Sequence, residues 1–543
     1  MRDNLDSVSP RRIHRRRLLE FGAIGIGASI VAACSPPAVT PPVAAPAAPA
    51  PAAPAAPAAA APTNTAAPVA AAAAAATATP APAAAAATAT PAPAAAVGAT
   101  TAQPVEVVFN TWWTPLQDAF TVLIKEFQDA NPGVTIKAQF GGDDYTTKME
   151  AGIVAGGFGD AATSDNGVQT KYMSAGHHYD MTDAVKADNI NLRATYALGG
   201  IEEWCGKVLN MPMDNDDRGV YYNKTMIKAA GAKDPWDDLH GKWTLDDMLE
   251  IAKLCVKKDS SGKITQYGLQ QNYTDTEDSE PYIWGMGGNY ANWDTGKYNY
   301  LDPGVVKWFE TAYKWATVDK ILITKEAIAS LQGSANANPF RGGLVAMYHR
   351  ASYDSTINQK EIGTKFEWDA APSPGPGSFN TALPTGVAGS TVNPNFVPKL
   401  SKNPQWGYKW IAMLAGLEAE KIYATKKTMF VAHKGAWSTY QDNPPPKHAG
   451  SFCYYAFSRP YGYHYYSDIM SEVMYDTVTP ELDKAFLGQQ TVKQALTNAQ
   501  KKIDTLGASQ SASCASPYTI GGSPLPALTE AELTKWGVHA YTS

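Results

Sequence analysis

The chain changes its pattern of apolar and charged positions twice within its first hundred or so residues. A basic segment, Arg11–Arg17, runs into an apolar one, Phe21–Ala33, and a long stretch built almost entirely from Ala, Pro and Thr follows. No charged residue occurs between Glu20 and Glu106. Regularly spaced apolar residues mixed with both signs of charge begin only near Val105, so the folded part is predicted to start there.

Short periodic segments open this folded part. Val105–Asn110 predicts a strand, and apolar residues at helical spacing within Phe120–Phe127 predict an amphipathic helix that Asn131–Gly133 ends. The alternation in Val134–Phe140 predicts a second strand, and Tyr145–Ala155 a second helix. Strand–helix–strand order implies an α/β fold with a parallel sheet, which places ligand contacts at the carboxyl ends of its strands.

The amino-terminal segments resemble an export signal. Arg15–Leu19 is similar to the twin-arginine pattern, and the apolar stretch after it is too short for an ordinary membrane span. Val31–Cys34 is similar to the lipobox of bacterial lipoproteins, in which the cysteine receives diacylglycerol. The resemblance implies a signal peptide over residues 1–33 and a lipid on Cys34 that holds the protein at the outer face of the bacterial cytoplasmic membrane. The general export route and an uncleaved anchor are the alternatives.

Residues 34–104 are predicted to form a disordered tether behind that lipidated cysteine. Small side chains cannot bury enough apolar area to fold, and the recurring Pro breaks the helix that Ala favours. Fully extended, about seventy residues at roughly 3.1 Å each would reach on the order of 200 Å. Such a tether can hold a folded part well away from a membrane.

The net charge of the chain and its distribution exclude some classes of binding partner. Residues 1–33 hold six of the 45 Lys and Arg and three of the 51 Asp and Glu, which leaves 39 basic and 48 acidic residues and a net charge of −9. No Lys- and Arg-rich run remains after residue 33, which argues against nucleic acid as a partner. No later apolar stretch is long enough to span a membrane.

Four cysteines remain besides Cys34, and none stands in a C-x-x-C pair. We therefore predict no metal site and no other cofactor. An even number of cysteines outside the cell permits two disulfides in three possible pairings. We favour Cys205–Cys255 and Cys453–Cys514, because each of these pairs closes the shorter loop.

Six segments of the folded part carry a family resemblance in a fixed order. They are Phe127–Val134, Ala155–Asp160, Asp216–Lys224, Pro235–Asp247, Gly343–Met347 and Phe486–Leu496. Together they resemble the family 1 extracellular solute-binding proteins of bacterial ABC importers, the group that includes maltose-binding protein. Each segment alone is a weak signal, whereas six in order are a strong one. Gly159 replaces the family's usual proline, and Asp275–Asn299 and the tail after Gly507 depart from the family average.

The resemblance implies a two-lobed periplasmic-binding-protein fold, type II-like, with the solute held between α/β lobes that close on hinges. It predicts crossings between the lobes near Asp214–Gly219, near Thr385–Gly389 and within Trp437–Tyr465. The predicted boundaries are 105–215 with about 386–440 for the first lobe, 219–385 with about 445–520 for the second, and 521–543 for a tail.

The abundance of Trp and Tyr in the folded part points to a sugar ligand. Aromatic faces stack on the apolar face of a pyranose, while Asp, Asn and Arg bond its hydroxyls. Trp112 and Trp113 directly follow the first strand, and we favour Trp113 as the one that faces the cleft. Asp165 follows another predicted strand, with a helix cap as the alternative. Asp216 aligns with a sugar-contacting carboxylate and Arg218 lies beside it, with a solvated turn as the alternative.

The second lobe supplies the remaining candidates for ligand contact. Tyr353 stands six residues after Met347, where relatives often carry a stacking Trp, and Arg350 lies between them. Trp284 lies in a glycine-rich aromatic segment whose backbone can approach a ligand. A dense tyrosine cluster adds Tyr461, Tyr463 and Tyr465.

These expectations describe a monomeric, non-enzymatic receptor that binds a sugar or oligosaccharide and delivers it to an ABC permease. A receptor for an anionic polyol such as glycerol-3-phosphate is the alternative within that class, and it would need Lys or Arg converging in the cleft. A secreted carbohydrate-active enzyme and a sensory lipoprotein are the alternatives from other classes. The chain contains no G-x-S-x-G, H-E-x-x-H or P-loop pattern that would favour an enzyme.

Overall fold

Two five-stranded sheets organise the described part of the chain. The computed structural model describes residues 104–142, 144–164, 168–198, 203–292, 295–331, 334, 337–427, 429–463, 467–507 and 525–541, and for Tyr463 it describes the backbone only. All of these residues belong to one compact unit. Within them we find no helix with the length and apolar character needed to cross a membrane.

The strands are short, and most follow the periodicity of the sequence. They are β1 Val105–Thr111, β2 Val134–Phe140, β3 Ala161–Thr163, β4 Glu203–Trp204, β5 Lys207–Val208, β6 Met211–Pro212, β7 Arg218–Asn223, β8 Lys257–Lys258, β9 Ile264–Gln270, β10 Ala291–Asn292, β11 Lys297–Tyr298, β12 Val345–Ala351, β13 Trp368–Pro372, β14 Ala388–Ser390, β15 Pro394–Phe396 and β16 Tyr461–Tyr463.

Helices cover the faces of both sheets. They are α1 Gln117–Ala130, α2 Tyr145–Ala155, α3 Gln169–Ser174, α4 Thr182–Ala187, α5 Leu192–Thr195, α6 Lys224–Ala229, α7 Leu245–Cys255, α8 Thr276–Gly285, α9 Pro303–Thr317, α10 Lys325–Ala329, α11 Asp354–Ile362, α12 Pro404–Leu414, α13 Leu417–Lys426, α14 Trp437–Gln441, α15 Tyr454–Phe457, α16 Met470–Val473, α17 Thr479–Phe486, α18 Val492–Leu506 and α19 Glu530–Lys535. A π-helical turn, Met474–Val478, follows α16.

The first sheet has the strand order β2-β1-β3-β15-β6 and forms the first lobe. Strand β1 pairs in parallel with β2 and with β3, whereas β15 runs antiparallel to both of its neighbours. The two strands and two helices predicted between Val105 and Ala155 are therefore confirmed. Helix α1 buries Phe120, Leu123 and Phe127 against this sheet, as its apolar spacing requires.

The second sheet has the order β13-β7-β12-β9-β8 and forms the second lobe. Strand β12 pairs in parallel with β9 and antiparallel with β7. One face of this sheet packs into a cluster of buried apolar side chains that includes Trp308 and Met347, the second core. Its other face, which includes Tyr221 and Tyr348, belongs to the cluster that also covers the first sheet, the first core. Helix α7 begins at a capping box in which Thr244 and Asp247 satisfy each other's backbone N–H groups.

The chain first passes from one sheet to the other between β6 and β7, and this crossing is hydrogen-bonded to two other segments. The Asn215 amide donates to the carbonyl of Phe430 at 2.9 Å, and the Asp216 amide donates to the carbonyl of Thr391 at 2.7 Å. The Asn393 amide donates to Asp214 Oδ1 at 2.6 Å. Segments far apart in sequence are therefore held together where the two lobes meet.

Gly159, which replaces the family's usual proline, lies in a conformation that proline cannot adopt. Its φ is +82°, and a Cβ atom there would lie 2.7 Å from Asn110 Nδ2 and 2.8 Å from the Val108 carbonyl. Proline is confined to φ near −65°, so proline could replace Gly159 only if the backbone of this turn changed.

The carboxyl-terminal segment packs across the body of the protein. Leu525 exchanges two backbone hydrogen bonds with Tyr461 of β16. Leu533 and Val538 are buried in the first core, the apolar cluster shared by both sheets, and Tyr541 packs edge-on against Trp236 beside the second core. Residues 525–541 of the tail that departs from the family average are therefore part of the folded body.

Both predicted disulfide pairings are wrong. Cys255 and Cys453 are free and buried, whereas Cys205 is disulfide-bonded to neither of them. Cys255 ends α7 within the second core, and Cys453 lies in the first core, so each thiol is surrounded by apolar side chains. The prediction from sequence proximity is wrong because each of these two thiols is buried in an apolar core and forms no disulfide.

We predict that thiol labelling will separate these cysteines into two classes. In the native full chain, Cys255 and Cys453 should resist an alkylating reagent, because both are buried and burial raises the pKa of each thiol, to about 11 and about 12. Denaturation without reductant should label both, and Cys205 should react only after reduction. Peptide mass mapping distinguishes the classes; labelling of Cys205 without reductant would contradict the assignment.

Candidate functional site

Two tryptophans follow the carboxyl end of β1, and one of them, Trp113, contacts the second lobe. Trp112 packs edge-on against Tyr145 at the start of α2, with ring centroids 5.4 Å apart. Trp113 is buried, and its ring lies 6.2 Å from the ring of Tyr353 in the second lobe. Trp113 Nε1 has no hydrogen-bond partner among the described residues. The strand-end rule therefore brings Trp113 to the cleft between the lobes.

The first crossing delivers Asp216 and Arg218 to the same place. Arg218 Nη1 donates to the carbonyl of Asp216 at 2.8 Å and to its Oδ2 at 3.3 Å. Ser352 Oγ donates to Asp216 Oδ1 at 3.3 Å, which ties the crossing to the end of β12. Asp216 and Arg218 are both buried, so the solvated turn considered for them is wrong.

The amino-terminal turn of α8 supplies two more carboxylates to Arg218. Arg218 Nε donates to Asp278 Oδ1 at 3.1 Å, and Nη2 donates to Glu277. Tyr475 donates its hydroxyl proton to the other oxygen of Glu277 at 2.9 Å. The guanidinium of Arg218 is 3% exposed and is surrounded by three carboxylates, the arrangement that a buried cation requires.

Arg350 extends this network to the aromatic wall. Its Nη1 donates to Asp278 Oδ2 at 3.1 Å, and its Nη2 donates to the hydroxyl of Tyr353. Its guanidinium carbon lies 5.3 Å from the centre of the Tyr353 ring. Asp278 therefore bridges the two arginines, and Tyr353 contacts both Arg350 and Trp113.

A second contact across the cleft is ionic. Lys171 on α3 of the first lobe lies 2.9 Å from Glu472 on α16, a helix that packs into the second core. Together with the Trp113–Tyr353 pair, it holds the described lobes against each other. Both side chains remain partly exposed, so this ion pair contributes little on its own, about 1 kcal/mol or less.

Burial and the nearby cation of Arg218 shift the pKa of Asp216 in opposite directions. Burial raises the pKa of Asp216 to about 6, although the cation of Arg218 pulls it down. Burial also raises the pKa of Asp214 and of Asp217 well above the usual range, which favours their neutral forms. Burial alone would lower the pKa of Arg218, but the surrounding carboxylates raise it above its usual value.

The other residues predicted from the sequence to contact the ligand do not join this network in the described structure. Trp284 on α8 is buried against the backbone of Gly462, where a Cβ atom would lie 2.6 Å from its ring. Tyr461 packs on Phe457 in the first core, with ring centroids 4.9 Å apart. The described contacts of both are packing contacts. Asp165, Tyr465 and the side chain of Tyr463 lie outside the described residues, as does Cys34, so these remain predictions.

Sequence reasoning missed Glu277, Asp278 and Tyr475. The two acids lie in a segment that departs from the family average, and that departure drew attention away from them. One signal was available in the sequence. The pair lies at the start of a helix shortly after the carboxyl end of β9, and the rule that ligand contacts follow the carboxyl ends of strands also selected Trp113. Among the described residues, no group of three or more His, Cys, Asp or Glu side chains has an arrangement that could hold a metal ion.

Comparison with known proteins identifies a family model that matches more than half of the chain. A family model described as bacterial extracellular solute-binding protein matches residues 113–421. No curated protein sequence matches the chain.

Solved structures with the same architecture cover most of the chain. The ABC substrate-binding protein Lmo0181 from Listeria monocytogenes, in complex with cycloalternan, has a TM-score of 0.66 and 20% identity over 74% of this chain and 99% of its own. MalE from Bdellovibrio bacteriovorus, bound to maltotriose, gives 0.59 and 15% over 74% and 99%. The acarbose-binding GacH receptor of Streptomyces glaucescens gives 0.62 and 14% over 75% and 99%. The predicted two-lobed fold is confirmed.

We predict that Arg218→Met will destabilise the fold by about 3–5 kcal/mol, because it leaves three buried carboxylates without their shared cation. The loss should shrink from about pH 8 to about pH 5, since acids whose pKa is raised in the folded state favour folding at low pH and oppose it as pH rises. Urea unfolding at several pH values measures both effects.

Lys148→Met provides the control for this experiment. Lys148 pairs with Asp144 at 2.8 Å, but both side chains are more than half exposed. The control should cost less than about 1 kcal/mol and show little dependence on pH. A similar loss in the two variants would contradict the role given to Arg218.

Proposed function

This chain belongs to the bacterial extracellular solute-binding protein family, and we propose that it is a receptor that closes its two lobes on a neutral saccharide. Closure of such lobes is driven by contacts that the ligand makes only in the closed state. The receptor would then deliver the saccharide to an ABC permease and perform no chemistry on it.

One observation carries the saccharide proposal: an aromatic pair and a polar, charged network meet at one point between the lobes. Tyr353 lies against Trp113 of the opposite lobe and also accepts a hydrogen bond from Arg350. Aromatic faces suit the apolar face of a sugar ring, and arginine and carboxylate groups suit its hydroxyls. The three solved structures named above, which carry cycloalternan, maltotriose and acarbose, support the same ligand class.

The charge of the site favours a neutral ligand over an anionic polyol. Arg218 and Arg350 do converge, as an anion receptor would require. However, Asp216, Glu277 and Asp278 accept their hydrogen bonds, so the carboxylates in this network outnumber the cations. An incoming phosphate would meet a site whose positive charge is already neutralised.

We further propose that the receptor acts as a lipid-anchored monomer outside the cytoplasmic membrane. The lipobox-like segment ending at Cys34 and the Ala-, Pro- and Thr-rich stretch behind it support this arrangement. The tether would let the binding lobes sample the space around a permease while the lipid keeps them near it.

The saccharide proposal is tested by thermal unfolding of the full chain with candidate ligands. We expect stabilisation by a neutral oligosaccharide; a ligand at about 100 times its Kd adds about 2.7 kcal/mol. The panel comprises maltotriose, a cyclic glucan, mannotriose, polyols and glycerol-3-phosphate. Stabilisation by glycerol-3-phosphate and by none of the sugars would overturn the proposal in favour of the anionic alternative, and turnover of a glycoside would overturn the non-enzymatic assignment.

A pair of tryptophan variants locates the binding site once a sugar is found. Trp113→Ala should weaken its binding by about 1–3 kcal/mol in titration calorimetry, the scale of a lost stacking contact. Trp406→Ala is the control, because that ring packs on Phe127 and under Lys409 in the first lobe. Equal affinity of the Trp113 variant and the wild type would remove Trp113 from the site.

The anchor has its own test in cells. Cys34→Ala should move the protein from the membrane fraction to the soluble extracytoplasmic fraction, because no thiol remains to receive the lipid. Fractionation and immunoblotting measure the distribution. Retention of the variant on membranes at the wild-type level would contradict lipidation at Cys34.

A further inference from the structure

We infer that Asp278 is a specificity-determining positioning residue that keeps the arginines of the cleft from binding anions. The inference rests on the proposed function, because it explains how a site with two arginines serves a neutral ligand. Asp278 acts through Arg218 and Arg350 and is not itself placed against the ligand.

The geometry of Asp278 is that of a bridge. Its two carboxylate oxygens are divided between the two guanidiniums, with Oδ1 3.1 Å from Arg218 Nε and Oδ2 3.1 Å from Arg350 Nη1. Its side chain is 0% exposed, so a ligand in the cleft has no direct access to it. A single buried carboxylate therefore sets the position of both cations.

The two arginines differ in how many carboxylates form ion pairs with them. Arg218 also donates to Asp216 and Glu277, so it would keep two carboxylate partners without Asp278. Among the described residues, Arg350 forms an ion pair with the carboxylate of Asp278, and its other side-chain hydrogen bond goes to the uncharged hydroxyl of Tyr353. Neutralising Asp278 would therefore leave Arg350, whose side chain is 11% exposed, without a carboxylate in an ion pair with it.

Arg350 is also in the right place to meet a ligand. It lies over the ring of Tyr353, the residue that contacts Trp113 across the cleft. Guanidinium groups bind carboxylate and phosphate oxygens in preference to neutral hydroxyls when no internal anion occupies them. The network loses one negative charge in Asp278→Asn while the side chain keeps its shape.

The test measures binding of anionic and neutral probes to the full chain and to Asp278→Asn by titration calorimetry. The anionic probes are glucuronate, glucose 6-phosphate and inorganic phosphate, and the neutral probes are the sugars named above. We expect the ratio of anion affinity to that of the matching neutral sugar to rise by about tenfold or more in the variant. The gained affinity should fall as NaCl is added, because it is electrostatic.

Two further variants separate a specific role from a general loss of charge or structure. Asp234→Asn removes a buried carboxylate from the same lobe, but that acid pairs with Lys224 and bonds Tyr222 away from the cleft, so no anion affinity should appear. The double change Asp278→Asn with Arg350→Gln should abolish the gain, because it removes the cation that Asp278 neutralises.

A folded Asp278→Asn variant that gains no affinity for any anionic probe would overturn the inference, as would an equal gain in Asp234→Asn. Anion binding by the wild type would overturn it too. If the wild type binds no sugar, the proposed function fails, and the comparison of anion affinities between wild type and variant still decides the inference.

Should Asp278→Asn fail to fold, Asp278→Ser replaces it in the experiment. The serine hydroxyl is smaller, accepts a hydrogen bond and carries no charge, so Arg350 again loses its carboxylate partner and anion affinity should rise in the same way. Absence of any gain in a folded Asp278→Ser protein would then overturn the inference.

Discussion

The connection between the first crossing and the second lobe depends on the buried guanidinium of Arg218. It lies at the start of β7, directly after the chain first crosses between the sheets. A cation at this depth is tolerated only if carboxylates surround it, and three do so from the crossing and from the start of α8. Satisfying one charge thus joins the crossing, a helix of the second lobe and, through Asp278, the end of β12.

The two faces of the cleft differ in chemistry. The first lobe contributes Trp113, whereas the second lobe and the crossing contribute Arg218, Arg350 and their carboxylates. Tyr353 is where these two kinds of surface touch, since its ring faces Trp113 and its hydroxyl faces Arg350. A sugar ring has the same duality, with apolar faces and polar edges, and that correspondence is the physical basis of the proposed function.

Much of the fold and part of the site were predictable from local sequence. Apolar periodicity located β1, β2, α1 and α2, and the order of these elements implied the parallel arrangement of the first lobe. The strand-end rule selected Trp113, and the family resemblance selected Asp216, Arg218, Arg350 and Tyr353. Glu277 and Asp278 escaped because their role depends on Arg218, about sixty residues away in sequence.

The cysteines illustrate the same boundary between local and tertiary information. Loop length favoured Cys205–Cys255 and Cys453–Cys514, but Cys255 and Cys453 lie in separate apolar cores and remain free. The sequence by itself determined the first strands and helices of the described chain, because periodicity acts over a few neighbouring residues. Only the tertiary structure decided which thiols are buried and which carboxylates share Arg218, because those outcomes depend on distances between elements far apart in the chain.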